Sequence, residues 1–249
     1  MSEAFVQIEN LKKTYPRSTF PAINGLSLSL SEGLVHGILG PNGAGKTTSI
    51  SILMGLLKAD SGLINIAGYS IPVQQSKLKQ IMGLVPQEIA LYQSLTAYEN
   101  LDYFAAQYNI PRKQRKEIIK SYLQRVGLYE RRNDNIKTFS GGMKRRINLI
   151  AGLLHQPKLL ILDEPTVGTD VQSKNMILEL LQELNKNGMT ILYTSHLMEE
   201  AERICHNVCI IDRGKNIEQG NPKELIKRYP NCTNLEDVFV ELTGYKIRD

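Results

Sequence analysis

One eight-residue segment restricts the fold of this chain more than any other feature. Residues 40–47 read GPNGAGKT; they follow the apolar run LVHGILG and precede TSISILMGLL, which is typical of a helix. Glycines let the backbone wrap around phosphate groups, and the N-terminus of the following helix attracts anions. The combination therefore predicts a P-loop in an α/β domain that binds a nucleoside triphosphate.

The last two residues of this segment have separate roles in that interpretation. Lys46 neutralises phosphate oxygens as a point charge, and the Thr47 hydroxyl is a suitable ligand for Mg²⁺. The alternative is a glycine-rich turn with an accidental lysine. The flanking strand and helix make that alternative weak.

Short apolar runs elsewhere indicate a parallel sheet. They are LVHGILG (34–40), IMGLVPQ (81–87), KLLILDEP (158–165) and MTILYTSH (189–196). Such runs form strands that are buried on both faces, and the helical stretches between them imply βαβ units. In contrast, LSLSLS (26–31) alternates strictly, and with FVQIENL before it and SGLINIAGY after it predicts an antiparallel sheet near the N-terminus.

The middle and end of the chain have a different character. Residues 94–138 are polar, basic and helix-like, contain no strand candidate, and have Pro111 as a break. After Arg213 and Gly214 comes a tail that ends in the amphipathic NLEDVFVELTG. We predict one domain, residues 1–249, with a helical subdomain inserted at about 94–138 and a short tail at about 214–249.

Polar residues follow several of the predicted parallel strands, where ligands bind in α/β sheets. Asp163, directly after LLIL, suits the hydration shell of Mg²⁺, which leaves Glu164 free to polarise a water molecule. Gln87 could hold Mg²⁺ or orient water, and His196 could stabilise charge on a γ-phosphate. The alternatives are a solvated loop for the acidic pair, a surface amide for Gln87 and a structural role for His196.

Composition excludes several other classes of protein. The 249 residues contain no apolar run near the roughly 18 needed to cross a bilayer, and MSEAFVQIEN has no signal core, so we expect a cytosolic location. Three cysteines fit reduced thiols, and CHNVC matches no zinc or haem spacing. The net charge of +5 fits a solvated basic face, or attraction to polyphosphate or an anionic membrane surface.

A second glycine turn lies far downstream of the P-loop. FSGG (139–142) opens the basic helix MKRRINLIAGLL, which exposes backbone N–H groups to an anion. With the P-loop, LLILDEPT and TSH in this order, the chain resembles the ATP-binding cassette (ABC) family from Tyr15 to Gly244. A P-loop alone would also be consistent with a kinase, a GTPase or a helicase. The SGG turn upstream of LLILDEPT excludes these classes.

The resemblance implies a role for each matching residue. Tyr15 would stack on adenine, Gln87 is the Q-loop residue, and His196 is the switch histidine. Asp163 and Glu164 match the Walker B motif with its catalytic carboxylate. The turn of Ser140, Gly141 and Gly142 would bind the γ-phosphate of ATP held by a second cassette, which we expect to be another copy of the chain. The residues that match Walker A are Gly40, Pro41, Asn42, Gly43, Ala44, Gly45, Lys46, Thr47 and Thr48.

Two departures from the family pattern concern the contact between cassettes. The signature reads FSGGM instead of LSGGQ, which resembles the drug- and lipid-exporter branch that also shows GMKRR and LEDVF. Thr169 and Val171 stand where that branch usually has Leu and Pro, whereas Asp170 is retained. We therefore expect the loop to function in the contact between subunits.

The resemblance implies an ATPase subunit of an exporter that acts on a separate transmembrane permease. ATP and Mg²⁺ are the expected cofactors, the subdomain at 94–138 would dock the permease, and the protein would lie on the cytoplasmic face of the membrane without binding nucleic acid. The alternative from another class is a soluble ABC ATPase on a ribosome, DNA or cofactor-assembly complex. Those on ribosomes usually join two cassettes and those on DNA insert long coiled coils, and this chain has neither.

Overall fold

The computed structural model describes residues 4–244, with the side chains of Gln75 and Ser76 left out of the description. These residues form two compact units. The first contains residues 4–79 and 188–244, and the second contains residues 80–187. Along the chain, the second unit is therefore an insertion in the first. The end of the predicted tail, residues 245–249, lies outside the described residues.

Strands predominate in the N-terminal part of the chain, helices in the middle, and the two alternate from residue 141 to residue 212. The strands are β1 Val6–Lys13, β2 Ile23–Leu30, β3 Val35–Leu39, β4 Ser61–Ile66, β5 Tyr69–Ile71, β6 Met82–Val85, β7 Leu159–Asp163, β8 Thr190–Ser195, β9 Asn207–Asp212 and β10 Lys215–Gly220. The helices are α1 Lys46–Leu53, α2 Gln75–Leu78, α3 Ala97–Gln107, α4 Arg112–Arg125, α5 Gly141–Leu153, α6 Val171–Lys186, α7 Met198–Ile204, α8 Pro222–Arg228 and α9 Leu235–Thr243.

The first unit contains the predicted antiparallel sheet, with strand order β2-β1-β4-β5. Val6 is paired with Leu30 on one side and with Ile66 on the other. Along β2, the leucines of LSLSLS are buried and the intervening serines are exposed. The alternation in the sequence therefore corresponds to one face of the sheet packed on apolar residues and one face in water.

A group of mainly parallel strands also lies in the first unit. Strand β3 pairs in parallel with β8 and with β9, and β10 pairs antiparallel with β9. All residues of β3 and β8 are buried, as the continuous apolar runs predicted. Strand β10 lies inside the segment predicted only as a tail, so this segment adds an edge strand and two helices to the unit.

The second unit combines two parallel strands with helices. Strand β6 pairs with β7, with Met82 opposite Leu159 and Val85 opposite Leu162. Residues 94–138 are helical as predicted: α3 ends at Gln107, and Pro111 is the N-cap of α4. Within residues 4–244, no helix has the length and apolar character needed to cross a membrane.

Candidate functional site

The P-loop of the first unit has the backbone that its glycines predict. It connects the end of β3 at Leu39 with the start of α1 at Lys46. Gly43 and Gly45 have φ angles of 80° and 107°, in the region that favours glycine. A Cβ atom at Gly40 would lie 2.2 Å from the carbonyl oxygen of Ile211, so the loop also needs glycine for close packing.

The side chain of Lys46 binds the main chain of this loop from within. Its side chain is buried, and its Nζ donates hydrogen bonds to the carbonyl oxygens of Gly40 at 2.8 Å and Pro41 at 3.1 Å. A buried ammonium group needs such acceptors, and phosphate oxygens would offer it stronger ones. The turn of main chain, the start of α1 and the enclosed cation therefore fit a triphosphate, and the exposed Thr47 next in the chain fits a metal ligand.

Two further predicted residues of the first unit lie near the P-loop. The hydroxyl of Tyr15 and Oγ1 of Thr48 are 3.2 Å apart, and the exposed fraction of Tyr15 is 43%, which leaves ring surface for a stacked base. Leu39 is paired with Ser195, and the N–H of Gly40 donates to the carbonyl of Ser195 at 3.3 Å. His196 therefore follows β8 at the same edge from which the P-loop leaves β3.

The predicted acidic pair of the second unit follows β7. Asp163 and Glu164 are 3% and 4% exposed, respectively. Glu164 has a φ angle of 48°, in the left-handed region that residues other than glycine seldom adopt. Nε2 of Gln87 donates a hydrogen bond to Oε2 of Glu164 at 3.3 Å. The structure therefore brings Gln87 and Glu164 together.

The second glycine turn, also in the second unit, forms the start of α5. Ser140 is the N-cap, and its Oγ accepts a hydrogen bond from the N–H of Met143 at 3.3 Å. Gly141 is exposed, whereas Gly142 is buried. A Cβ atom at Gly142 would lie 2.2 Å from Oγ of Ser173, so that glycine is needed for packing. The turn thus presents Ser140 and Gly141 to solvent at a helix N-terminus.

The profile of the family described as "ABC transporter" matches residues 23–167, which is more than half of the chain. The chain belongs to the ABC transporter family.

Relatives of known function agree with this assignment. The linearmycin resistance ATP-binding protein LnrL of Bacillus subtilis is 49% identical over 96% of this chain and 74% of the relative. The Nod factor export ATP-binding protein I of Ralstonia nicotianae is 37% identical over 94% of this chain and 73% of the relative. A solved ATP-binding subunit of an ABC transporter superposes with a TM-score of 0.86, at 26% identity, over 96% of this chain and 99% of that one.

These comparisons confirm the predicted fold class and general activity. The chain is an ATP-binding subunit of the ABC type, related to subunits of export systems, and an ATPase. Its fold is a P-loop α/β core with an N-terminal antiparallel subdomain and an inserted helical subdomain. The resemblance that the sequence motifs indicated is therefore correct at the level of the family and of the export branch.

The sequence motifs did not point to Arg145, which contacts the main chain of a predicted site residue. Nη1 of Arg145 donates a hydrogen bond to the main-chain carbonyl of Gln87. Burial lowers the pKa of Arg145, and the negative charge of Glu164 opposes that shift. Within KRR (144–146), the arginine looked like part of a solvated basic face. The helical spacing could have indicated Arg145, because it lies about one turn after Gly141 and therefore on the same side of α5 as the SGG turn.

The loop that contains Thr169 and Val171 also contains the N-cap of α6. Asp170 is the N-cap of α6; its carboxylate accepts hydrogen bonds from the N–H and the Oγ of Ser173, both at 2.8 Å. These bonds lower the pKa of Asp170. Thr169 donates to the carbonyl of Thr166 at 2.6 Å, and the side chain of Val171 is 70% exposed. Neither substitution therefore disturbs the cap.

Proposed function

We propose that this ABC subunit binds ATP through Tyr15 and the P-loop, residues 40–48, and hydrolyses it with Glu164 as the general base. Two separate helices that each begin at a glycine turn, α1 and α5, support this proposal. The P-loop already has its own lysine and metal-ligand hydroxyl, and the turn at Ser140 and Gly141 is a second such place. We propose that this turn binds the γ-phosphate of ATP held by a second copy of the chain.

The reaction follows from the chemistry of the side chains. The Glu164 carboxylate accepts a proton from water while the water oxygen forms a bond to the γ-phosphorus. The bond between that phosphorus and the β–γ bridging oxygen breaks, and its electron pair leaves with ADP. Lys46 and His196 stabilise the negative charge that spreads over the phosphoryl oxygens in the transition state.

Magnesium is part of this proposal through three residues. Thr47, Gln87 and Asp163 would supply hydroxyl, amide and carboxylate oxygens, the donor types that Mg²⁺ prefers. When bound, Mg²⁺ neutralises charge on the phosphates. Asp163 is buried at the end of β7, where its carboxylate would supply one of the oxygens around the metal.

We test the assignment of the base with Glu164→Gln. The variant keeps the shape and the hydrogen-bond acceptor but cannot take the proton. Expected results are ATP binding as in the wild type, turnover reduced by about 100-fold or more, and an ATP-stabilised dimer on a sizing column. Glu179→Gln, an exposed position on α6, is the matched control and should behave as the wild type. Near-normal turnover of Glu164→Gln would exclude Glu164 as the base.

We further propose that the protein works on the cytoplasmic face of a membrane, bound to a separate transmembrane permease in an export system. The names of its relatives, a resistance protein and an export protein, support this role. So does an aromatic patch formed by α3 and the loop before it. Tyr92 and Tyr103 are 49% and 41% exposed, and their ring centroids are 5.2 Å apart. Clustered exposed apolar groups mark surfaces for protein partners.

The permease proposal has its own test. The tagged protein is extracted with mild detergent and the co-purifying proteins are identified. The expected partner is a membrane protein, and Tyr103→Ser should weaken its recovery while the purified variant hydrolyses ATP as the wild type does. Recovery of ribosomes or DNA instead of a membrane protein would support the soluble alternative.

A further inference from the structure

Helix α5 begins at the second glycine turn, Ser140 to Gly142, called the signature turn below. This helix contains an arginine that is linked to the proposed base. Arg145 lies in α5, about one helical turn after Gly141. Its guanidinium donates a hydrogen bond to the main-chain carbonyl of Gln87. The side-chain amide of Gln87 in turn donates to the carboxylate of Glu164 at 3.3 Å. All these groups lie in the second unit, so a continuous series of contacts leads from α5 to Glu164.

Arg145 is partly buried, with an acceptor and a negative charge beside it. Burial lowers the pKa of Arg145, and the charge of Glu164 acts in the opposite direction. A guanidinium nevertheless remains protonated in proteins, so its partial burial must be compensated by acceptors and negative charge. Here the Gln87 carbonyl supplies an acceptor and Glu164 supplies the charge. A solvated surface arginine would need neither group.

The next residue shows what a structural arginine of the same helix looks like. Arg146 donates to the carbonyl of Val126 at 2.8 Å and contacts the sulfur of Met176 at 3.3 Å. It therefore connects α5 to the end of α4 and to α6, and the negative charge that acts on it is that of Asp170, not that of Glu164. Arg145 and Arg146 thus differ in partners although they share a helix and a charge.

We propose that Arg145 is a positioning residue that holds the main chain at Gln87 and the carboxylate of Glu164 in register with α5. The inference rests on the proposed roles of Glu164 as the base and of the signature turn as a binding site for a second copy's ATP. When the ATP of a second copy occupies that turn, the position of α5 changes. The hydrogen bond of Arg145 transmits this change in position to the main chain at Gln87. Nucleotide binding in one site is thereby coupled to the placement of the base in the other.

The test compares Arg145→Gln and Arg145→Lys with Lys144→Gln. ATPase rates are measured over a range of ATP concentrations for the purified protein. For Arg145→Gln we expect kcat to fall by between about 10- and 100-fold while KM changes by less than about threefold, because misplacement of a catalytic group affects the chemical step. The Hill coefficient should fall toward one, since coupling between the sites is lost. Lys144→Gln removes a cation from the same helix and should match the wild type in all three quantities.

Arg145→Lys makes the test independent of folding. It keeps the charge but lacks the forked geometry, so we expect a kcat between those of the wild type and Arg145→Gln, with thermal stability like the wild type. Values of kcat and Hill coefficient equal to the wild type in Arg145→Lys, or an increase in KM alone in Arg145→Gln, would overturn the inference. If Glu164→Gln is inactive in parallel, such a result refutes only the role of Arg145. If Glu164→Gln is active, the assignment of the base itself fails.

Discussion

Gly142 offers a sharp test of the packing around the signature turn. A Cβ atom at this position would lie 2.2 Å from Oγ of Ser173 and 2.6 Å from Oδ2 of Asp170. These two atoms are hydrogen-bonded to each other at 2.8 Å in the cap of α6. We therefore predict that Gly142→Ala displaces the cap of α6 and destabilises the folded protein.

The size of the effect follows from two opposing contributions. Overpacking of a well-packed site typically costs about 1–3 kcal/mol, and replacing glycine by alanine in a helix regains roughly 0.5–1 kcal/mol. We expect a net loss of about 1–2 kcal/mol in the free energy of unfolding. For a chain of this size, each kcal/mol lowers Tm by about 2–4 °C, so Gly142→Ala should melt about 2–8 °C below the wild type.

Thermal unfolding followed by circular dichroism, without nucleotide, measures this difference. Gly141→Ala is the matched control, because its Cβ atom would meet the carbonyl oxygen of Gly168 at 3.6 Å, an ordinary contact. Its Tm should lie within about 1 °C of the wild type, as for an exposed substitution. Adding Ser173→Gly to Gly142→Ala should recover part of the loss. An unchanged Tm for Gly142→Ala, or equal losses in both alanine variants, would refute this account of the packing.

Three further predictions concern single side chains. Tyr15→Ala should raise the KM for ATP by about three- to tenfold while Tyr15→Phe leaves it near the wild-type value, because the ring and not the hydroxyl supplies the stacking. Burial lowers the pKa of His36 below its ordinary value of 6.5, so the wild type should lose stability as the pH falls below 6.5. In urea unfolding, the free energy of unfolding of His36→Gln should fall less between pH 7.5 and 5.5 than that of the wild type. Hydrogen bonds from Ser173 lower the pKa of Asp170 below 3.8. The ionised carboxylate therefore stabilises the fold above pH 3.8, and this effect is lost as the pH falls through the folded-state pKa. The difference in urea midpoint between the wild type and Asp170→Asn should accordingly shrink from pH 6 to pH 3.

Local features of the sequence predicted the parts of the fold that local physics determines. The alternation in LSLSLS gave one buried and one exposed face in β2, and the continuous apolar runs gave the fully buried strands β3, β7 and β8. The glycine pattern of residues 40–47 predicted the P-loop because the backbone angles at Gly43 and Gly45 exclude most other residues. These signals operate within a few residues of chain.

Contacts between distant segments were not accessible in the same way. Strand β10 was missed because KNIEQG is polar and pairs only on one side, with β9. The role of Arg145 depends on the carbonyl of Gln87, which is remote in the sequence. Likewise, Gly142 was expected to serve phosphate binding, whereas its burial against Ser173 also makes it a packing requirement. Residue type alone could not separate these roles.

If the site is shared between two copies of the chain, a mixture of two inactive variants should recover ATPase activity. Glu164→Gln removes the base and leaves the signature turn intact, whereas Gly141→Asp places a carboxylate at the turn and leaves the base intact. If the turn serves the ATP of a second copy, a mixed dimer contains one complete site. Random pairing makes about half of the dimers mixed. We therefore expect an equimolar mixture to hydrolyse ATP faster than either variant alone, at up to about a quarter of the wild-type rate. The complete site takes its base from the subunit with the altered turn, so loss of the coupling through Arg145 lowers the rate below that ceiling. A mixture no more active than either variant alone would contradict the shared site.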